Sequence, residues 1–175
     1  YLCGRYAKDF PLAISAKIAM EQSYGYIDGD SASLAELCAL LSALIGLPLT
    51  QETALTGSVN QRGEVQAIGG VNEKIEGFFD ICKLRGLTGR QIVIIPASNQ
   101  NNLMLSNEVT QAVKDQLFAI HAVSSVDEAL ALLAHEQPGI EDAEGHFPIN
   151  SINGRVVGRL KKYSTIVQQL QTNRL

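Results

Sequence analysis

Cysteine is scarce, odd in number and scattered: Cys3, Cys38 and Cys82 are the three in 175 residues, and the last two stand inside apolar stretches. A disulfide framework is thereby excluded, and a reducing, cytoplasmic compartment fits best. Long hydrophobic runs are missing as well. The longest uncharged apolar stretch, residues 37–49, has 13 residues, whereas a membrane span takes about 20. It reads as a buried helix, with no membrane partner expected. The opening residues show no basic stretch followed by an apolar one, so no secretory leader is expected. Charge is low, at 18% of residues with a formal sum of -4, which speaks against a chain that coats nucleic acid. With 46% hydrophobic residues, disorder is excluded too. The G-x-x-x-x-G-K-[ST] spacing of a phosphate loop occurs nowhere, and Gly69-Gly70 lacks the spaced glycines of one; the pair reads as a tight strand-to-helix turn.

What is present suits one globular core. Phe10, Leu12, Ile14, Ala16, Ile18 and Met20 recur at period two, which predicts a strand ending near Glu21. The loop QSYGYIDGD then leads to a helix over 33–46, stopped by Gly46 and Pro48. Strands are expected over 53–59 and 64–68 as a hairpin around 60–63, then a helix from 71 closed by Gly86, then the strand QIVIIP. A helix over 106–116, a strand LFAIHAV and a helix over 125–135 follow, the last opened by Ser125 and Glu128 in capping-box spacing. Such alternation indicates an α+β or α/β domain. Residues 137–153, rich in Pro, Gly and acids, read as a linker. Beyond them Val156, Leu160, Tyr163, Val167 and Leu170 mark the apolar seam of a C-terminal amphipathic helix over 154–175.

Chemistry concentrates in two places. In GDSAS, residues 29–33, Ser33 and Glu36 make S-x-x-E, which predicts a helix cap. Ser31 is left over, in a turn where backbone N–H groups and the positive helix end converge, a setting that suits an oxyanion. A serine nucleophile needs a base. The histidines His121, His135 and His146 sit in no motif, and His121 alternates within a strand as a packed residue would. Lys74 is the sharper candidate. On a helical wheel Val71, Ile75, Phe78, Phe79, Ile81 and Cys82 share one face, and Lys74 falls between Phe78 and Ile81 in the first turn. Burial there and the helix dipole both favour the neutral amine, which can accept a proton; the alternative is an amine that reaches water while its stem covers the core edge.

GDSAS, the TG of LTGSVNQRGEVQAIGG, and GGVNEK together resemble, in order and separation, the proteolytic domain of the Lon proteases, particularly the archaeal-type branch. The resemblance runs from about residue 10 to about residue 136. It implies a single Lon-type protease domain over 1–136 with mixed small sheets and packed helices, lacking earlier strands usual in the family. It also implies a serine–lysine dyad endopeptidase for unfolded or regulatory polypeptides, with Ser31 as nucleophile, Lys74 as base and amides at 29–31 holding the oxyanion. Thr56 matches a threonine that lies near the lysine amine in the family, and Asp30 matches the residue just ahead of the serine; both would support the dyad. Bond cleavage needs no metal or nucleotide, so no cofactor is expected in this chain. ATP is implied for an AAA+ ATPase module outside it, and a homo-oligomer, a hexameric ring, is implied by the family. The competing expectation is a non-catalytic Lon-like scaffold or assembly module.

Overall fold

The computed structural model describes residues 1–20, 25 and 29–172. A short helix α1 (Leu2–Tyr6) is followed by α2 (Ser33–Ile45), β1 (Thr53–Leu55), β2 (Ser58–Val59) and β3 (Val65–Gln66). Then come α3 (Val71–Arg85), β4 (Ile92–Pro96), a 3-10 helix (Ala97–Asn102) and α4 (Asn107–Lys114). The chain closes with β5 (Ala119–Val123), α5 (Val126–Ala134) and α6 (Ile152–Thr172). This is the mixed α+β class expected.

A parallel sheet in the order β1-β4-β5 organises the molecule, with Leu55 opposite Ile94 and Ile94 opposite His121. Its middle strand is apolar throughout because both faces are covered. Ile94 points into one core with Leu34, Leu41, Leu130, Ile152 and Val156 of α2, α5 and α6. Val93 and Ile95 point into a second, with Ile75, Phe79, Val109 and Phe118 beneath α3 and α4. A separate hairpin pairs β2 with β3, Val59 opposite Val65. Asn60 Oδ1 takes the amides of Arg62 and Glu64 at its turn. Among the described residues no helix is long and apolar enough to cross a membrane.

Four expectations need correction. Described residues 10–20 form no strand: Phe10, Leu12 and Ile14 pack half-buried against the first core, while Ile18 and Met20 are exposed. A period-two pattern makes an amphipathic extended segment, but a strand also needs an edge to pair with, and no ladder is formed here. The strand expected over 53–59 is broken at Thr56 and Gly57, so that β1 joins the parallel sheet and β2 the hairpin. Gly57 gives both its backbone groups to the segment entering α2, accepting from Leu34 N and donating to Ser31 O. Nor is Ser33 a cap. The N-cap is Ala32, and Ser33 Oγ instead accepts the amide of Val59 at 3.0 Å. Finally, His121 is exposed on β5, an edge strand with one side uncovered. The cap at Ser125 does form, its Oγ accepting from Glu128 N, while the Glu128 carboxylate turns to the amide of Ser124.

The first half of α6 buries Ile152, Val156 and Leu160, whereas Val167 and Leu170 of the expected seam are exposed. Asn153, fully buried, ties the layers together: it accepts from Tyr6 Oη at 2.8 Å and donates to Asp127 and to the carbonyl of Gly139. Gly154 allows the preceding loop to lie against the helix, since a methyl there would stand 2.1 Å from the carbonyl oxygen of Pro148. Backbone cannot swing aside as a side chain can. Gly154→Ala is therefore expected to cost about 2–3 kcal/mol, read as a lowered denaturant midpoint at unchanged slope.

Burial pushes the thiol of Cys38 up to about 12 from an ordinary 9.0, and the hydroxyl of Tyr6 up in the same sense. Both are acids that stay protonated longer in the folded state. The stability that Cys38 contributes is whole below about pH 9 and is lost as pH rises toward about 12, at about 1.4 kcal/mol per pH unit, while for Tyr6 the loss begins only above its ordinary 10.0. Thermal midpoints measured from pH 8 to 11 should fall, and less steeply in Cys38→Ala.

Candidate active site

Two helices on opposite faces of the sheet bring their N-terminal ends to the carboxyl end of β1. One is α2, preceded by the turn at 29–32, in which Gly29 takes a positive φ of 83° and Ser33 N bonds back to Asp30 O. The other is α3, entered through Gly70 at φ 66°, with Lys74 N bonded to Gly70 O. The glycine pair is the strand-to-helix turn expected. From α3 the Lys74 amine donates to Ser31 Oγ at 2.8 Å, so the two residues singled out from the sequence meet.

A run of hydrogen bonds seats the Ser31 turn on residues 56–59. The carbonyl of Ser31 accepts from Gly57 N at 2.8 Å and from Thr56 Oγ1 at 3.2 Å. Thr56 thus bonds the backbone of Ser31 and lines the same cavity as Lys74. Asp30 accepts from Ser58 Oγ at 2.5 Å. A methyl on Gly57 would come within 2.9 Å of Leu34 Cδ2 and 3.1 Å of Val65 Cγ1, so the approach of strand to helix depends on that glycine.

Ser31 and Lys74 open onto a cavity of about 280 Å³ walled by Ala32, Ala35, Ala54, Leu55, Thr56 and Val93. Small apolar side chains leave room for a substrate side chain beside the hydroxyl. Lys74 itself is exposed, so of the two readings of the wheel, burial in the apolar face of α3 or an amine that reaches water, the second holds. It stands only one turn from the helix start, at the rim, and its neighbour on the wheel, Ile81, is half open as well.

The family model of the Lon protease C-terminal proteolytic domain matches residues 16–136. This chain belongs to the Lon protease family. A Lon protease homolog of Escherichia coli (strain K12) is 55% identical over 122 residues, which are 70% of this chain and 21% of that protein. A homolog from Haemophilus influenzae is 56% identical over the same length, 70% of this chain and 20% of that protein. The archaeal Lon protease of Thermococcus kodakarensis is 34% identical over 117 residues, 67% of this chain and 16% of that protein. The chain spans about a fifth of the length of the Escherichia coli and Haemophilus influenzae homologs.

Within the Lon-type site, sequence reasoning missed Ser58 and Asn99. Asn99 is buried, accepts from Ile68 N and donates to Ile68 O, each at 2.9 Å. It clamps the strand end from which the Gly69-Gly70 turn departs. Asn72 Oδ1 takes Met104 N, and Glu76 takes Ser106 N. The loop after β4 thereby brackets the first turns of α3 and fixes where Lys74 stands. Away from the site, Asp142, Glu144 and His146 form an exposed group of possible metal ligands among the described residues. The Asp142 carboxyl is held below its ordinary range by backbone amides, that of His146 foremost, which is how an acid structures a turn.

Proposed function

We propose that this chain is the proteolytic part of an ATP-dependent Lon-like protease and cleaves peptide bonds with Ser31 and Lys74. The observation that carries this reading is the 2.8 Å contact from the lysine amine to the serine hydroxyl beside an open cavity. Neutral Lys74 takes the hydroxyl proton as Ser31 Oγ attacks the scissile carbonyl carbon. The oxyanion forms at the start of α2, where turn amides and the helix dipole offer positive charge. Lys74 then gives its proton to the leaving amine, and water, deprotonated by the same amine, releases the acyl group. It is a serine–lysine form of triad logic.

Thr56 and Asp30 support the dyad from the backbone side, the first by holding the carbonyl of Ser31 and the second through its bond to Ser58. Lys74 is open to water in the single chain, so a bound polypeptide is the natural cover for it. ATP, an AAA+ module that delivers unfolded or regulatory polypeptides, assembly into a homo-oligomeric ring and a cytoplasmic setting belong to this proposal by kinship with the family.

The test is covalent trapping. A peptidyl phosphonate offered to the intact protein should modify one serine, and peptide mapping by mass spectrometry should place it at Ser31. Modification at Ser33, or none, overturns the assignment and favours a non-catalytic scaffold.

A further inference from the structure

A base that must accept a proton works only while it is uncharged, and a carboxylate at ion-pair distance from an amine favours the charged form. Asp30 is covalently next to Ser31, whose hydroxyl touches the Lys74 amine. Yet among the described residues Lys74 forms no ion pair. What holds Asp30 is Ser58, a side chain only 5% exposed, whose Oγ donates to Asp30 Oδ2 at 2.5 Å.

The other charges around the site are accounted for differently. Glu36 lies in the first turn of α2, Glu73 in the first turn of α3, and Glu76 is engaged by Ser106 N. At the hairpin, Glu64 takes the side-chain amide of Asn60, with Arg62 beside it. The walls contributed by β1 and β4 and by Thr56 carry no charge. Asp30 is thus the acid of the serine's own turn, and a buried hydroxyl determines which way it faces.

We propose that Ser58 is a positioning residue of the site: its hydroxyl ties the Asp30 carboxylate to the β2 side of the turn and so keeps it from pairing with the Lys74 amine. The proposal rests on the dyad reading above. Alanine at 58 would free the carboxylate, whereas threonine would keep the donor.

Two readouts on the intact protein test it, one of them independent of catalysis. The first is the rate at which the phosphonate modifies Ser31 between pH 6 and 10. The second is trace acetylation of the Lys74 amine by acetic anhydride over the same range, which reports its neutral fraction. Asp30 is exposed, so solvent screens its charge, and the expected effect is modest. In Ser58→Ala, modification of Ser31 should slow by about three- to tenfold at pH 7 and converge with the parent as pH rises. The acetylation midpoint should move up by about half to one pH unit. Ser58→Thr should keep both values of the parent, and Asp30→Asn added to Ser58→Ala should return the midpoint.

Should Ser58→Ala fail to fold, Ser58→Val, which has the shape of the threonine variant but no donor, carries the same expectation. Slowing by one factor at every pH with an unmoved midpoint makes Ser58 a packing residue and overturns the proposal, as does a midpoint that Asp30→Asn leaves displaced. A parent protein unmodified at Ser31 defeats the dyad itself, and this inference falls with it.

Discussion

Ser31→Ala should lower peptide hydrolysis by about a thousandfold or more, and Lys74→Ala should do the same, with the double variant no worse than either alone. On the dyad reading, hydroxyl and amine act as one unit, since removal of either leaves the other without its task. Lys74→Arg should also be inactive. A guanidinium keeps its positive charge throughout the accessible pH range and cannot take the proton. Ser31 is half-buried in a turn and Lys74 exposed at a rim, so unfolding free energies should stay within about 0.5 kcal/mol of the parent. Initial rates on a fluorogenic peptide and on unfolded casein, taken beside calorimetry, separate lost chemistry from lost fold. Equal cleavage by parent and variants would remove the dyad.

Phe118→Ala carries the largest expected cost in stability, about 3–5 kcal/mol. Its ring is almost wholly buried, stands edge-on to Phe79 with centroids 5.2 Å apart, and lies tilted against Phe78 at 6.1 Å. Those two phenylalanines belong to α3, so the cavity would open directly beneath the helix that presents Lys74. In a domain of this size each kcal/mol moves the midpoint by about 2–4 °C, hence a fall of roughly 10 °C. Hydrolysis should fade at temperatures where the second core loosens while far-ultraviolet circular dichroism is still native. A variant that melts like the parent would show that this core closes over the gap.

Much of the fold was legible where a local signal agrees with its surroundings. Gly46 ends α2, Gly86 ends α3, and the run QIVIIP becomes β4 because a strand covered on both faces needs no alternation. The failures share a cause. Alternation over 10–20 records which residues can face a core, but says nothing about a neighbour for their amides. Ser33 has the spacing of a cap, yet a backbone amide of β2 takes its oxygen. Ser31 and Lys74 were each legible as candidates from turn and wheel, and kinship with the family paired them across 43 residues. The bonds of Ser58 to Asp30 and of Asn99 to Ile68 span 28 and 31 residues, and no motif announces them. A buried serine or asparagine shows its use only once its partner has been folded against it. For Lys74 the wheel left burial and exposure both open, because it gives direction without depth, and the first turn of a helix lies at the margin of any core.

Serine and lysine arrive from opposite sides of a sheet whose middle strand, β4, follows both of them in the chain. A polypeptide emerging from the ribosome therefore carries Ser31 and Lys74 before it has the strand on whose two faces α2 and α3 pack. On the dyad reading, the site is therefore completed only once β4 lies between β1 and β5.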